Sequence, residues 1–237
     1  GIDEQQPYAP ASLAKVPLLI AYLKMAEGDS DILTQRVTFT TRYPDAPTQE
    51  IVPTERLTLG RSYTITELLR AMIVFSDNDA AFLLQSAAPP ETLTATYSDL
   101  HIPPPDFHNP DDTMTVETYA RFFRFLYNGT YVNEELSEYA LSLLAESTFD
   151  RGIVAGVPSA TPAAHKFGER TRADAPTGTP AVQLHDCGIV YHPERPYIFC
   201  AMSRGYQRDD LTTTIAAISR AVYDTVVQTM EDEDRNP

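Results

Sequence analysis

A serine and a lysine stand three residues apart near the start of the chain, in the order Ser12-Leu13-Ala14-Lys15. Positions i and i+3 share one face of a helix, so the hydroxyl and the amine can lie side by side. The positive end of the helix dipole favours negative charge on the serine, and it lowers the pKa of a nearby lysine. The pair therefore predicts a serine nucleophile with an amine as its base.

A second polar group, Ser76-Asp77-Asn78, interrupts an apolar helical pattern. Side chains at such an interruption can point into a cleft, and a serine there could relay a proton. Serine and aspartate at this place can equally cap the following helix. The sequence alone leaves both interpretations open.

A third group, Lys166-Phe167-Gly168, lies on an expected strand. Only three of the 18 basic residues are lysines, and two of them, Lys15 and Lys166, fall within these groups. Lysine can lose its proton when it is buried, which arginine cannot. The glycine would let a substrate approach the strand backbone. A plain exposed strand lysine is the alternative interpretation.

Helices must position the first two groups. Apolar spacing predicts a helix over Ser12–Ala26, and Thr64-Ile65-Thr66-Glu67 is typical of a capping box that opens a helix to Phe75. Further elements are expected as a strand at Val37–Thr41 and helices at Ala80–Ser86, Val116–Tyr127 and, capped by Asn133, Glu134–Ser147. The proline-rich segment Pro89–Asp112 is expected to be a loop.

The last third of the chain has strand-like alternation. Strands are predicted at His165–Arg170, Leu184–Tyr191 and Tyr197–Arg204, before a closing helix at Leu211–Met230. Many helices followed by strands and one helix indicate an α/β (α+β) fold with a mostly antiparallel sheet. We expect a helical lobe at 11–158 and an α/β lobe at 159–237.

Composition limits the possible partners. The chain has 237 residues and a net charge of −15, and its hydrophobic content of 43% is enough to exclude global disorder. Such an acidic chain is repelled by nucleic acid and anionic membranes. No apolar run reaches the length of a membrane span, and no signal peptide begins at Gly1.

Histidines and cysteines indicate neither a metal site nor a cofactor. The five histidines (His101, His108, His165, His185 and His192) have no acidic or cysteine partners at ligand spacing, although His165 and His185 could be neighbours across strands. Cys187 and Cys200 lie symmetrically about the turn at Pro193-Glu194, so they should face each other in a hairpin. A disulfide and two buried free thiols both remain open there.

The three groups together, S-x-x-K, S-D-N and K-x-G in this order, resemble the active-site serine penicillin-recognising enzymes. The resemblance is closest to class A β-lactamases and extends to the penicillin-binding DD-peptidases. It implies a β-lactamase/transpeptidase-like fold. It also implies Ser12 as nucleophile, Lys15 as base and Ser76 as proton relay. It assigns Asn78 to substrate or Lys15 positioning, Lys166 to positive potential for a substrate carboxylate, and the oxyanion hole to the backbone N–H groups of Ser12 and Glu169.

The chain departs from the family pattern in four places. Phe167 replaces the usual threonine or serine that helps to hold the substrate carboxylate. The loop before Asp112-Thr113-Met114-Thr115 is short and lacks the deacylating glutamate, so only Asp99, Asp106, Asp111 and Asp112 are rival bases. Only 11 residues precede Ser12, so either the sheet is incomplete or the family's first strands lie outside this sequence. Leu184-His185-Asp186-Cys187-Gly188 replaces a polar strand and has no assigned role.

The resemblance implies a bacterial serine hydrolase that acts on β-lactams or D-Ala-D-Ala-type cell-wall peptides, in the periplasm or outside the cell. Slow deacylation is expected because the glutamate is missing. The competing hypothesis is a non-catalytic relative that binds peptidoglycan or a protein partner. Phe167 and the short loop favour this second reading, whereas the complete set of serines and lysines favours the first.

Overall fold

The computed structural model of the chain describes residues 1–44, 50–104, 114–173 and 180–235. Within these ranges the α-helices are α1 (Lys15–Gly28), α2 (Ile65–Val74), α3 (Asn78–Ala87), α4 (Glu91–Asp99), α5 (Val116–Asn128), α6 (Glu134–Ala145), α7 (Ile153–Gly156) and α8 (Arg208–Arg235). The strands are β1 (Pro7–Tyr8), β2 (Arg36–Thr38), β3 (Ser62–Thr64), β4 (Met114–Thr115), β5 (Ala163–Ala173), β6 (Pro180–Val190) and β7 (Tyr197–Gly205). None of the described helices is long and apolar enough to cross a membrane.

The helix boundaries follow the capping signals of the sequence. The Thr64 hydroxyl accepts a hydrogen bond from the Glu67 N–H, and the Glu67 carboxylate accepts one from the Thr64 N–H, which completes the predicted capping box of α2. Asn133 caps α6 through the Leu136 N–H at 3.0 Å. Gly129 ends α5 with a φ of 57°, a left-handed conformation that favours glycine.

Helix α4 corrects the prediction of a loop over Pro89–Asp112. Residues Glu91–Asp99 are helical because Pro89 and Pro90 stand before the first turn, where a missing N–H costs nothing. Tyr97 in α4 and Leu100 just after it are buried against the helical core, which stabilises the helix. The part of the predicted loop from residue 105 onward lies outside the described residues.

The main sheet has the order β5-β6-β7 and is antiparallel, as predicted. In its register Lys166 faces Cys187, and Cys187 faces Cys200. The two cysteines form a disulfide with a Cα–Cα distance of 4.0 Å, so the predicted cross-strand geometry is confirmed. His165 pairs with Gly188 and His185 with Gly168, so the two histidines do not face each other.

Two hydrophobic clusters hold the sheet between helices. The larger one surrounds α1, whose residues from Lys15 to Leu23 are buried on every side, and it also includes Ala164 and Cys187 of the sheet. The smaller one lies where Phe167 and Leu184 pack beneath α7 and α8. Helix α1 is thus a central core helix, consistent with its apolar composition all round. The division into lobes at residues 158 and 159 stays a prediction.

Candidate active site

Ser12 lies in a 3₁₀ turn, Ala11–Ala14, that leads directly into α1. Ala11 has a φ of 49°, an uncommon left-handed conformation for a residue other than glycine. The buried Tyr119 hydroxyl donates a hydrogen bond to the Leu13 carbonyl at 2.9 Å and so holds the turn from α5. Ser12 itself is half-buried. The nucleophile predicted from the sequence therefore stands on a bent, externally braced turn.

Gly168 allows this turn to lie close to the sheet. A Cβ atom at residue 168 would lie 2.9 Å from the Pro10 carbonyl oxygen and 3.1 Å from the Leu13 nitrogen. These distances are too short, so β5 can contact the serine turn only with glycine at this position. The sequence analysis assigned Gly168 to substrate approach. The structure adds a packing reason, and the contact with substrate stays a prediction.

The segment before the turn is held by His185, a residue to which the sequence gave no role. Its Nε2 donates to the Ala9 carbonyl at 3.0 Å, and its Nδ1 accepts from the Ser203 N–H at 3.2 Å. Burial lowers the pKa of His185 to about 4, so the ring is neutral at pH 7 and its tautomer is set by these two partners. His185 thus anchors the chain three residues before Ser12.

Lys15 contacts the second polar group. Its Nζ lies 2.6 Å from the Ser76 carbonyl oxygen, 3.1 Å from the Ser76 Oγ and 2.6 Å from the Asn78 Oδ1. Burial lowers the pKa of Lys15 to about 7, while the negative charge of Asp77 partly opposes that shift. A large fraction of Lys15 is therefore uncharged near neutral pH. Its described hydrogen bonds go to Ser76 and Asn78 and not to Ser12, so the Ser12–Lys15 contact stays a prediction.

The group Ser76-Asp77-Asn78 shows the capping interpretation and also contacts Lys15, while the proton-relay role of Ser76 stays a prediction. Asp77 caps α3 by accepting a hydrogen bond from the Ala80 N–H at 2.9 Å, which is the structural role. Ser76 has a φ of 56°, and this backbone conformation turns the chain sharply between α2 and α3. The same turn brings Ser76 and Asn78 to Lys15. The turn at Ser76 therefore both starts the capped helix α3 and brings Ser76 and Asn78 to Lys15.

Lys166 reaches the same serine from the sheet. Its Nζ lies 2.9 Å from the Ser76 Oγ and 3.0 Å from the Phe167 carbonyl oxygen. The side chain is fully buried, which lowers the pKa of Lys166 well below its usual value, and the nearby charge of Lys15 lowers it further. The exposed strand lysine considered in the sequence analysis is therefore wrong. Two lysines from opposite sides of the site meet at one hydroxyl.

Phe167 lies against this ammonium. The Lys166 Nζ is 4.1 Å from the centre of the Phe167 ring, a cation–π distance. The ring stacks on Phe149 with a centroid distance of 4.4 Å and an interplanar angle of 25°. Phe149 follows α6 and had no signal in the sequence, because only the fold brings it beside β5.

Glu169 is held by contacts between its carboxylate and two segments outside β5. Its carboxylate accepts a hydrogen bond from the Ile51 N–H and lies 3.0 Å from the Arg208 Nε, an ion pair without hydrogen-bond alignment. Arg208 also pairs with Glu50. Burial raises the pKa of Glu169, and the Ile51 hydrogen bond partly opposes this. These contacts hold the backbone at the position that the resemblance assigns to the oxyanion hole; that role stays a prediction.

A buried pair beneath the site escaped the sequence analysis. The Asp186 carboxylate lies 2.8 Å from the His165 Nδ1 and accepts a hydrogen bond from the Ile153 N–H at 2.8 Å. A Cβ at Gly152 would lie 2.1 Å from the Asp186 Oδ2, so only glycine fits there. The usable signal was a charged residue in the middle of an apolar strand, since buried aspartates need partners. The segment Leu184 to Gly188 thus has structural roles.

Asp99 lies away from the candidate nucleophile. It accepts a hydrogen bond from the Tyr131 hydroxyl at 2.9 Å, and Lys24 lies 4.8 Å from the centre of the Tyr131 ring. Lys24 follows Lys15 by nine residues on α1, which corresponds to about 13 Å along the helix. Asp99 is therefore wrong as a rival base. Asp106, Asp111 and Asp112 lie outside the described residues.

A family model described as "Beta-lactamase enzyme family" matches residues 1–226. No curated protein matches the sequence significantly. Because the family model spans nearly the whole chain, the match is not confined to the three motifs.

Solved structures show the same fold at low sequence identity. PBP-A is 21% identical with a TM-score of 0.74, and the match covers 96% of this chain and 84% of that one. A mutant of PBP-A, an acyl-enzyme complex with penicillin G, is 20% identical with a TM-score of 0.74 over 96% and 85%. A class A β-lactamase from Mycobacterium abscessus is 20% identical with a TM-score of 0.75 over 93% and 86%. The expected β-lactamase-like fold is therefore confirmed.

Proposed function

The chain belongs to the β-lactamase enzyme family, and from this premise we propose that it is an active-site serine hydrolase that forms an acyl-enzyme at Ser12. The observation that carries the proposal is the convergence of Lys15 and Lys166 on the Ser76 Oγ, at 3.1 and 2.9 Å. Two buried lysines destabilise a folded protein, because burial disfavours their charge. Proton transfer at a reacting serine is a function that would explain why two buried lysines are present.

Lys15 is the general base of this mechanism. In its neutral form the amine has two hydrogens and one lone pair. The hydrogens suit the acceptors at 2.6 Å, the Ser76 carbonyl and the Asn78 Oδ1. The lone pair then takes the proton of Ser12 as its Oγ attacks the carbonyl carbon. A pKa of about 7 matches this task, since a base works best when its pKa lies near the operating pH.

Ser76 returns a proton to the leaving group. Once Lys15 has taken the Ser12 proton, its third hydrogen can be donated to the Ser76 Oγ, and the Ser76 hydroxyl still carries a hydrogen of its own that it can donate. As the carbon–nitrogen bond breaks, the leaving nitrogen takes this hydrogen, and Ser76 recovers a proton from Lys15 or Lys166. The N–H groups of Ser12 and Glu169 stabilise the oxyanion, in line with the family resemblance.

The proposed substrates are β-lactams or D-Ala-D-Ala-type cell-wall peptides. The PBP-A mutant that forms an acyl-enzyme with penicillin G has the same fold, which supports a β-lactam as ligand. A disulfide between Cys187 and Cys200 is typical of proteins outside the reducing cytoplasm, so we propose a periplasmic or extracellular location. Deacylation is proposed to be slow.

A non-catalytic binding protein is the second candidate. Two observations favour a binding protein. Phe167 lies against Lys166, and the described hydrogen bonds of Lys15 go to Ser76 and Asn78 and not to Ser12. Contacts of catalytic groups are often looser without substrate, so the second observation does not decide the question. Covalent labelling at Ser12 separates the two candidates.

The test exposes the protein to a fluorescent penicillin and, separately, to an activated neutral ester, and it locates the adduct by peptide mass spectrometry. We expect one adduct, on Ser12, that Ser12→Ala abolishes. Lys15→Ala should slow labelling by about a hundredfold or more. Ser86→Ala and Lys24→Ala are matched controls, since both residues lie far from the site, and they should label normally. Labelling that survives Ser12→Ala contradicts the assignment, and no labelling by either reagent favours the binding protein.

A further inference from the structure

The cation that would meet a substrate carboxylate is enclosed by protein. The Lys166 side chain has 0% exposure. Its Nζ is hydrogen-bonded to Ser76 and to the Phe167 carbonyl, and the Phe167 ring lies 4.1 Å from it. The Phe167 ring therefore covers this ammonium on one side, and a substrate anion cannot contact the ammonium from that side while the ring stays in place.

The Phe167 ring is fixed in this position by its own packing. It is only 3% exposed and stacks on Phe149, which is itself 4% exposed. Both rings belong to the cluster beneath α7 and α8, together with Ile153 and Leu184. Interiors are close-packed, so displacing this ring would disturb the whole cluster. The Phe167 ring is therefore a packed part of the hydrophobic core.

Two of the described arginines near Phe167 and Glu169 are already paired with carboxylates. Arg208 is engaged by Glu169 and Glu50, so two carboxylates already compensate its charge. Arg151 lies over the outer face of Phe149, with its guanidinium carbon 5.8 Å from the ring centre, and pairs with Asp209. A substrate carboxylate beside Arg208 would also lie near the carboxylates of Glu169 and Glu50. Like charges placed this close repel each other.

We propose that the preferred acyl donor is electrically neutral on the leaving-group side of its scissile bond, that is, an amide or ester without an adjacent carboxylate. This inference rests on the proposed acyl transfer to Ser12, and it ranks neutral acyl donors above the carboxylate-bearing β-lactams and peptides named there. In the step itself the Ser12 Oγ–carbon bond forms and the bond from carbon to the leaving nitrogen, oxygen or sulfur breaks. The proton of Ser12 passes to the leaving group through Lys15 and Ser76. Penicillins and terminal D-Ala peptides, which carry that carboxylate, react more slowly.

Two thioesters that differ in a single charge test this directly. Both carry the same phenylacetylglycyl acyl group, and the leaving group is thioglycolate in one and thioglycolamide in the other. They produce the same adduct on Ser12, so deacylation is identical and any difference arises in acylation. Each acylation rate is divided by the rate at which neutral hydroxylamine cleaves the same thioester, which removes intrinsic reactivity without a charge effect from the reference nucleophile. The readout is the corrected acylation rate of the thioglycolate thioester divided by that of the thioglycolamide thioester.

We expect a ratio below one for the natural sequence. Phe167→Thr uncovers Lys166 and should raise the ratio about tenfold or more, which is the scale of one charged hydrogen bond. Phe167→Leu is the matched control, since it shortens the side chain without adding a hydroxyl, and it should raise the ratio less. Circular dichroism confirms that each variant is folded.

Lys166→Met keeps the proposal testable if the Phe167 variants do not fold. Lys166 acts through Ser76 and not through the carboxylate, so its loss should slow both thioesters equally and leave the ratio unchanged. A ratio of one or more in the natural sequence, or a selective loss of the carboxylate substrate in Lys166→Met, overturns the inference while the acyl-enzyme proposal stands. If neither thioester forms an adduct at Ser12, the proposed function falls and this inference falls with it.

Discussion

The Nζ of Lys15 lies 2.6 Å from the carbonyl oxygen and 3.1 Å from the hydroxyl oxygen of Ser76, a residue 61 positions away in the sequence. Ser76 can offer both atoms to one amine because its left-handed backbone, with a φ of 56°, turns the carbonyl and the side chain toward the same side chain of α1. The amine is thereby held in place while burial removes much of its charge.

The rate of acylation should follow the titration of Lys15. Burial lowers the pKa of this group to about 7, so below that pH the ammonium has no lone pair for the Ser12 proton. We expect the rate with a neutral thioester to be level above pH 8 and to fall toward tenfold per unit below pH 6, about one unit either side of that pKa. Single-turnover adduct formation from pH 5 to 9 measures this.

Asp77→Asn provides the matched variant for this profile. The Asp77 charge raises the pKa of Lys15, so its removal should move the acid limb to lower pH. Asparagine caps a helix about as well as aspartate, so α3 should remain folded. If the fall in acylation rate at acid pH moves to higher pH in this variant, or stays in place, then a group other than Lys15 controls how the rate depends on pH.

Acylated protein should persist. The family's deacylating glutamate has no counterpart in the sequence, and Asp99 lies near the far end of α1. A missing general base costs about 10²–10⁴-fold in rate. We expect the phenylacetylglycyl adduct at Ser12 to outlast gel filtration, and excess nitrocefin to release about one equivalent of product at most. Sustained nitrocefin turnover with rapid loss of the adduct would place a base among residues 105–113.

Asp186→Ala should destabilise the protein by about 2–4 kcal/mol, because the buried Ile153 N–H and the His165 ring nitrogen both lose their acceptor. Asp186→Asn should lower the free energy of unfolding by less than Asp186→Ala does. The asparagine oxygen can still accept from Ile153, and its amide can donate to the other tautomer of His165. Urea unfolding of the three proteins measures the difference. Equal losses for alanine and asparagine would show that the charge itself is the stabilising feature.

The Cys187–Cys200 disulfide should stabilise the β6–β7 hairpin. It closes a short segment, with a sequence separation of 13, for which chain entropy suggests about 3 kcal/mol. We expect a reductant to lower the melting temperature of the natural sequence and to leave the double variant Cys187→Ala/Cys200→Ala unchanged. A reductant effect of the same size in the double variant would point to a cause other than the disulfide.

The elements of this protein could be predicted from local sequence because local interactions determine them. The capping box at Thr64, the Asn133 cap and the Gly129 terminus each depend on residues three or four positions apart. The cross-strand contact of Cys187 and Cys200 followed from counting outward from one turn. Prediction failed at α4, since Pro89 and Pro90 read as loop signals although they only precede the first helical turn.

The candidate residues of the site came from the sequence, whereas their geometry did not. The types and spacing of Ser12, Lys15, Ser76, Asn78 and Lys166 make them candidates, and their catalytic roles stay predictions. Only the tertiary structure brings Phe149 onto Phe167, pairs His165 with Asp186 and places Arg208 between Glu50 and Glu169. These contacts join residues from 18 to 158 positions apart, and no local pattern in one sequence encodes which distant side chains will pack together. The physical reason is that burial, which sets both the pKa of Lys15 and the enclosure of Lys166, is a property of the folded core and not of neighbours along the chain.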